Sequence, residues 1–238
     1  MLKSDLICYT VLACGALLSF KTGKLSLTAA LTGLLVAVLI YRGGGYTGIA
    51  MLASFFVAGS WATGWQYQQK ILIGTEERHS GRRTPGQVLA NGGVAAMLGG
   101  VIWLNPGLSP ILQLMMAGSL AAAAADTLSS ELGTLYGRRF YHILSFKPDQ
   151  RGLDGVISLE GTAIGVIGAG LIALVYACGH SWGWPVFWII VAGTIGNLAD
   201  SVLGACLERK GWIGNNLVNF LNTLTGALAI WLLYALSN

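Results

Sequence analysis

Two Ala-Asp pairs carry the chemistry this sequence offers. In AGSLAAAAADTLSSELG, Asp126, Ser130 and Glu131 stand at the end of an alanine-rich apolar run. In AGTIGNLADSVLGACLE, Asn197, Asp200 and Glu208 close a glycine-rich one in the same way. A charged side chain in a hydrophobic span costs about 3 kcal/mol or more, so such a residue marks a functional site by default. Two carboxylates at equivalent places suit a hard divalent cation. Mg²⁺ is the expectation, because it bridges one or two protein carboxylates to substrate phosphates. The candidate ligands are Asp126, Asp200 and Glu131, with Asn197 as a further direct or water-mediated one.

The phosphate half of such a site is also present. Arg82 and Arg83 directly precede TPGQVLANGG, the start of a span whose helix N-terminus points to the same face. Paired Arg and helix N-termini both favour phosphate oxygens. Lys147 and Arg151 lie in the loop after the first carboxylate span, and Glu160 lies just inside the next one, in GVISLEGT. Gln87 and Asn91 share one helix face, and Asn215, Asn219, Asn222 and Gly226 share another. The amides serve equally as interhelical glue, and each Arg alone serves equally as a topology determinant.

The positioning elements are membrane helices. The chain is 54% hydrophobic and 10% charged, with a mean hydropathy of +0.65, outside the soluble range. Its 34 glycines suit closely packed spans. We expect an all-α, polytopic fold: one integral membrane domain over residues 1–238, with a weak direct repeat around Asp126 and Asp200. Eight spans are expected, at about 5–20, 25–41, 48–65, 88–104, 109–127, 157–178, 185–206 and 217–236. The apolar start is read as the first of these rather than as a signal peptide. The connectors alternate in charge: 12 of the 14 basic residues fall on one side, with only Lys3 and Arg42 opposite. That predicts a basic cytoplasmic face with both termini outside. The net charge of +4 belongs to membrane-flanking loops and implies no nucleic acid. The four cysteines fall within spans, and the three histidines (including His79) are scattered, in no metal spacing.

ADTLSSELG, the RR…QVLANGG span start, GVISLEGT and GNLADSVLGACLE…NNLVNFLNTLTGA together resemble one multi-pass membrane family, long a domain of unknown function, that includes chloroplast phytyl-phosphate kinase. The resemblance runs from about Arg82 to Ala229. SLEGT is also similar to the SLEG element of CTP-dependent phytol and dolichol kinases. The resemblance implies Mg²⁺-dependent phosphoryl transfer from a nucleoside triphosphate, CTP before ATP, to an isoprenoid monophosphate or alcohol. Asp126, Asp200 and Glu131 would then be catalytic, and Glu160 the base an alcohol acceptor requires. Arg82, Arg83, Asn91, Ser130, Lys147, Arg151, Asn197, Asn219 and Asn222 would meet nucleotide and phosphate. A transporter of a lipid phosphate or small anion is the rival, and a nucleotidyltransferase acting on a lipid phosphate another. Against transport, the repeat is direct and the aspartates lie toward the cytoplasmic third rather than the midplane.

Overall fold

The computed structural model describes residues 2–73 and 82–237, so Arg78 and His79 lie outside the described residues. Among these residues, seven helices are long and apolar enough to cross a membrane. They are α1 (Leu2–Lys21), α2 (Leu27–Gly64), α4 (Pro85–Leu104), α5 (Ser109–Tyr136), α6 (Leu159–Gly179), α7 (Trp184–Leu203) and α8 (Asn215–Ser237). A short α3 (Tyr67–Ile73) lies between α2 and α4.

α2 makes two passes. Its 38 residues contain one non-helical residue, Gly45, at φ 58° and ψ −151°, a backbone region that favours glycine. A Cβ on Gly48 would stand 3.1 Å from the Ile40 carbonyl oxygen, although eight residues of straight helix span about 12 Å. Phe56 packs against Leu25, Ala29 and Ala30. The chain therefore doubles back at Gly43-Gly44-Gly45, and the spans expected at 25–41 and 48–65 are two arms joined without a loop. Among the described residues the passes number eight.

Both termini consequently finish at one end. Tyr41 donates to Asp5 there (2.9 Å), and Trp188 meets Tyr234 edge-on. Gln113 donates to the Gly43 carbonyl (2.8 Å) and faces His180, so the turns near 43, 105 and 180 share this end. The basic connectors meet at the other end, where the backbones of Lys24, Ser26 and Arg83 pair. With the native cysteines removed, Lys210→Cys is expected to react with an impermeant thiol reagent only after cells are opened, and Ser181→Cys in intact cells. The opposite accessibility would put the basic end outside.

α5 is the central helix, packed by α2, α4, α6, α7 and α8. Ala117 to Ala125 are buried on every side, as a helix apolar all round must be. Small residues set the approach distance. A Cβ on Gly118 would lie 2.7 Å from the Gly226 carbonyl oxygen, and one on Gly226 2.6 Å from that of Gly118. The fifth span does not stop near residue 127 as expected but continues to Tyr136. Asp126, Ser130 and Glu131 are thus held on rigid helix. The connector from 137 to 158 carries a small hairpin, β1 (Tyr141–His142) with β2 (Val156–Ile157), and an Asp149–Arg209 ion pair (2.7 Å) ties it to the end of α7. That guanidinium holds the Asp149 carboxyl below its usual range.

Candidate functional site

Helix rotation brings the two aspartates together. Gly118, Ala122, Asp126 and Ser130 recur every four residues along one face of α5. On α7, a Cβ at Gly193 would meet Ala121, and one at Gly196 would lie 2.5 Å from the Ala122 methyl. α5 and α7 run in the same direction, so one turn past the Ala122–Gly196 contact lies the pair Asp126–Asp200. Their carboxyl groups are within hydrogen-bonding reach of each other. The two Ala-Asp motifs are adjacent because both helices present the same small-residue seam.

The surroundings leave the carboxylates under-satisfied. Ser130 reaches Asp126 only at 3.5 Å, and Asp200 Oδ1 is buried with no hydrogen-bond partner. Asn222, fully buried against Gly196, stands beside Asp200 with neither side-chain polar atom in a well-formed hydrogen bond. Each such group costs about 1–3 kcal/mol in the interior. That set fits a shared cation. Among the described residues no three His, Cys, Asp or Glu side chains converge as a ligand cage. A cation here would therefore complete its shell with substrate oxygens and water, the usual habit of Mg²⁺.

The pair faces a cavity of about 400 Å³ at the basic end. Asp126, Ser130 and Glu131 line it from α5, Asn197 and Asp200 from α7, Asn91 from α4 and Asn219 from α8. Arg82 and Arg83 line the side formed by the connector to α4. Thr84 caps α4 there, exchanging hydrogen bonds with Gln87 in a capping box. Burial pulls the Arg83 pKa down, partly offset by the Glu131 charge.

Four expected residues are not in the lining. Lys147 sits out on the hairpin loop, while Arg151 stacks on Phe140 and donates to the Thr134 carbonyl (3.0 Å). Asn222 lies behind the wall. Glu160 is turned away because Gly161, Gly165 and Gly168 must face α5: a Cβ on Gly161 would stand 3.3 Å from Gly133 Cα, and one on Gly168 2.9 Å from the Ala124 carbonyl. Glu160 instead accepts weakly from the Arg138 amide (3.4 Å). Glu131 lines the cavity with its charge already partnered, since Lys70 (2.6 Å) and Thr63 (2.8 Å) both donate to it.

Lys70 is a residue the sequence concealed. From α3 its ammonium also reaches the last carbonyls of α2, Ala62 (2.6 Å) and Thr63 (3.2 Å). It thus serves as that helix's C-terminal cation. Glu208, at the end of the second motif, joins the site as well. A five-residue π-turn, Gly204–Glu208, ends α7. Its extra residue turns Glu208 back by about 100°, onto the face of Asp200 two turns below, and both it and Asp154 line the cavity. Glu208→Gln is expected to weaken Mg²⁺-nucleotide binding by about tenfold without loss of fold, read by titration of nucleotide into purified protein. Unchanged affinity would remove Glu208 from the site.

The profile of the integral membrane protein family DUF92 matches residues 10–227. This chain belongs to the DUF92 family. Among DUF92-like relatives, the chloroplastic protein VTE6 of Arabidopsis thaliana is 32% identical over 212 residues, covering 86% of this chain and 63% of VTE6. The chain thus spans under two thirds of that relative. An uncharacterised membrane protein of Synechocystis is 33% identical over 196 residues, 81% of this chain and 76% of its own. One from Methanocaldococcus jannaschii is 34% identical over 202 residues, 80% and 77%. No solved structure matches the chain.

Proposed function

We propose that this protein transfers the γ-phosphoryl group of a nucleoside triphosphate, CTP by preference, to an isoprenoid monophosphate at the cytoplasmic membrane face. The observation that carries the reading is the Asp126–Asp200 pair, set in a polar cavity whose other wall holds Arg82 and Arg83. The likeness of ADTLSSELG and SLEGT to a family that includes a phytyl-phosphate kinase supports the isoprenoid acceptor and the kinase class.

Phosphoryl transfer asks a protein for in-line positioning and charge neutralisation rather than covalent chemistry. Asp126 and Asp200 would hold Mg²⁺, which when bound neutralises phosphate charge and polarises the transferred group. Arg82 and Arg83 take up the remaining charge, and Asn91, Asn197 and Asn219 offer amide contacts along the wall. An oxygen of the acceptor phosphate attacks the γ-phosphorus, and the bond to the β-bridging oxygen breaks. The electron pair leaves with the nucleoside diphosphate. That acceptor oxygen is already ionised at neutral pH, so no base is needed. With Glu160 off the cavity, the monophosphate suits the site better than the alcohol.

The test is protein reconstituted in lipid with γ-labelled CTP or ATP, Mg²⁺ and geranylgeranyl monophosphate. Label should appear in the prenyl diphosphate. Transfer of the nucleotidyl part with release of pyrophosphate would make the protein a nucleotidyltransferase. Movement of the lipid phosphate across the vesicle without transfer would make it a transporter.

A further inference from the structure

The cavity is electrically divided. Asp126, Asp200 and Glu208 stand on the α5–α7 side, and Arg82 and Arg83 on the side of α2 and α4. Lys70, also on that side, is committed to Glu131 and two carbonyls. The arginines are not so committed. Among the described residues neither guanidinium makes a hydrogen bond or an ion pair. Arg83 instead lies over the rings of Phe55 (5.9 Å) and Phe56 (5.6 Å), and Arg82 over Phe20 (5.4 Å). A guanidinium held by its faces keeps its N–H edge for bidentate donation to a phosphate. The aromatic rings holding it are those of α1 and the second arm of α2, beside the apolar cluster of Leu25, Ala29 and Ala30 with Ala16 and Val88. α1 is only 6% buried along its apolar window, so most of its surface is left to the bilayer.

We propose that Arg83, with Arg82 at the rim, anchors the phosphate of the acceptor lipid without a divalent cation, and that the isoprenoid tail passes between Phe20 and Phe56 into the bilayer. Nucleotide phosphates belong to the opposite, acidic wall, where a cation is required to hold them. The tail follows from the phosphate: a headgroup at Arg83 has aromatic and aliphatic side chains on its membrane side and polar lining on the other. The identity of the acceptor as an isoprenoid phosphate rests on the kinase reading. The anchoring itself does not.

The experiment measures binding of geranylgeranyl monophosphate to purified full-length protein in EDTA, without nucleotide, by thermal shift and tryptophan fluorescence. Wild type is expected to bind, with geranylgeraniol and inorganic phosphate at least about tenfold weaker. Arg83→Gln should lose about tenfold or more in affinity, and Arg83→Lys should fall between. If Arg83→Gln fails to fold, Arg83→Lys and Gly59→Ala decide the matter, since a Cβ on Gly59 would lie 3.1 Å from Arg83 Nη2. A requirement for Mg²⁺, wild-type binding by the Arg83 variants, or equal binding of inorganic phosphate would overturn the proposal. Cation-free lipid-phosphate binding by a protein that transfers no phosphoryl group would leave it standing and remove the kinase reading.

Discussion

Asp200→Asn is expected to lower phosphoryl transfer by about 10²–10³-fold, the scale of one lost electrostatic contact to the transition state, while the melting temperature stays level or rises. The two effects have opposite signs for one reason. Asp126 and Asp200 are adjacent carboxylates in a buried seam, with Asp200 Oδ1 lacking any hydrogen-bond donor. Like charges so placed repel each other. The arrangement costs stability in the empty protein, and neutralising one member relieves it. Sites held at such cost are where function is stored. Turnover and thermal unfolding of the same preparation check the pair of signs. A variant that is destabilised and still active would make Asp200 a structural residue.

The second large effect is on stability. Lys70→Met is expected to destabilise the protein by about 3–5 kcal/mol, because it strands the Glu131 charge at a partly buried site. The Lys70 and Glu131 side chains are 3% and 17% exposed, so water screens the pair poorly. Adding Glu131→Gln should recover much of the loss, since breaking one partner of a buried pair is worse than removing both. Some deficit should persist, because the Lys70 ammonium also satisfies the Ala62 and Thr63 carbonyls at the end of α2. Unfolding of both variants alongside Glu131→Gln closes the cycle. Additive losses would show that the pair is not coupled.

The helical passes are legible in the sequence because an apolar run of bilayer length has few other uses, and even the doubling back of α2 is marked by Gly43-Gly44-Gly45. The meeting of Asp126 and Asp200 is legible for a similar reason. The same small residues precede each, and the direct repeat puts both on parallel helices at one depth. Glu160 is misplaced by the sequence because its direction depends on which face of α6 the glycines must give to α5. Lys70 lies in QYQQKIL, seven residues without membrane periodicity. Its site exists only once Gln66, at φ 47°, has turned α3 back onto the end of α2. Glu208 shares the Asp200 side of the span by helical periodicity, and the π-turn brings the two closer into line. Lys147 and Arg151 hang on a hairpin connector, where sequence distance says little about position.

Asp126 and Asp200 are proposed to form one cation site for a nucleotide's phosphates. Mn²⁺, substituting for Mg²⁺, reports on it directly through the paramagnetic resonance of the protein-bound ion in the presence of CTP. Tight Mn²⁺ binding that depends on nucleotide is expected, lost in both Asp126→Asn and Asp200→Asn and kept in Glu131→Gln. Nucleotide-dependent Mn²⁺ binding that survives in either aspartate variant would contradict a shared site.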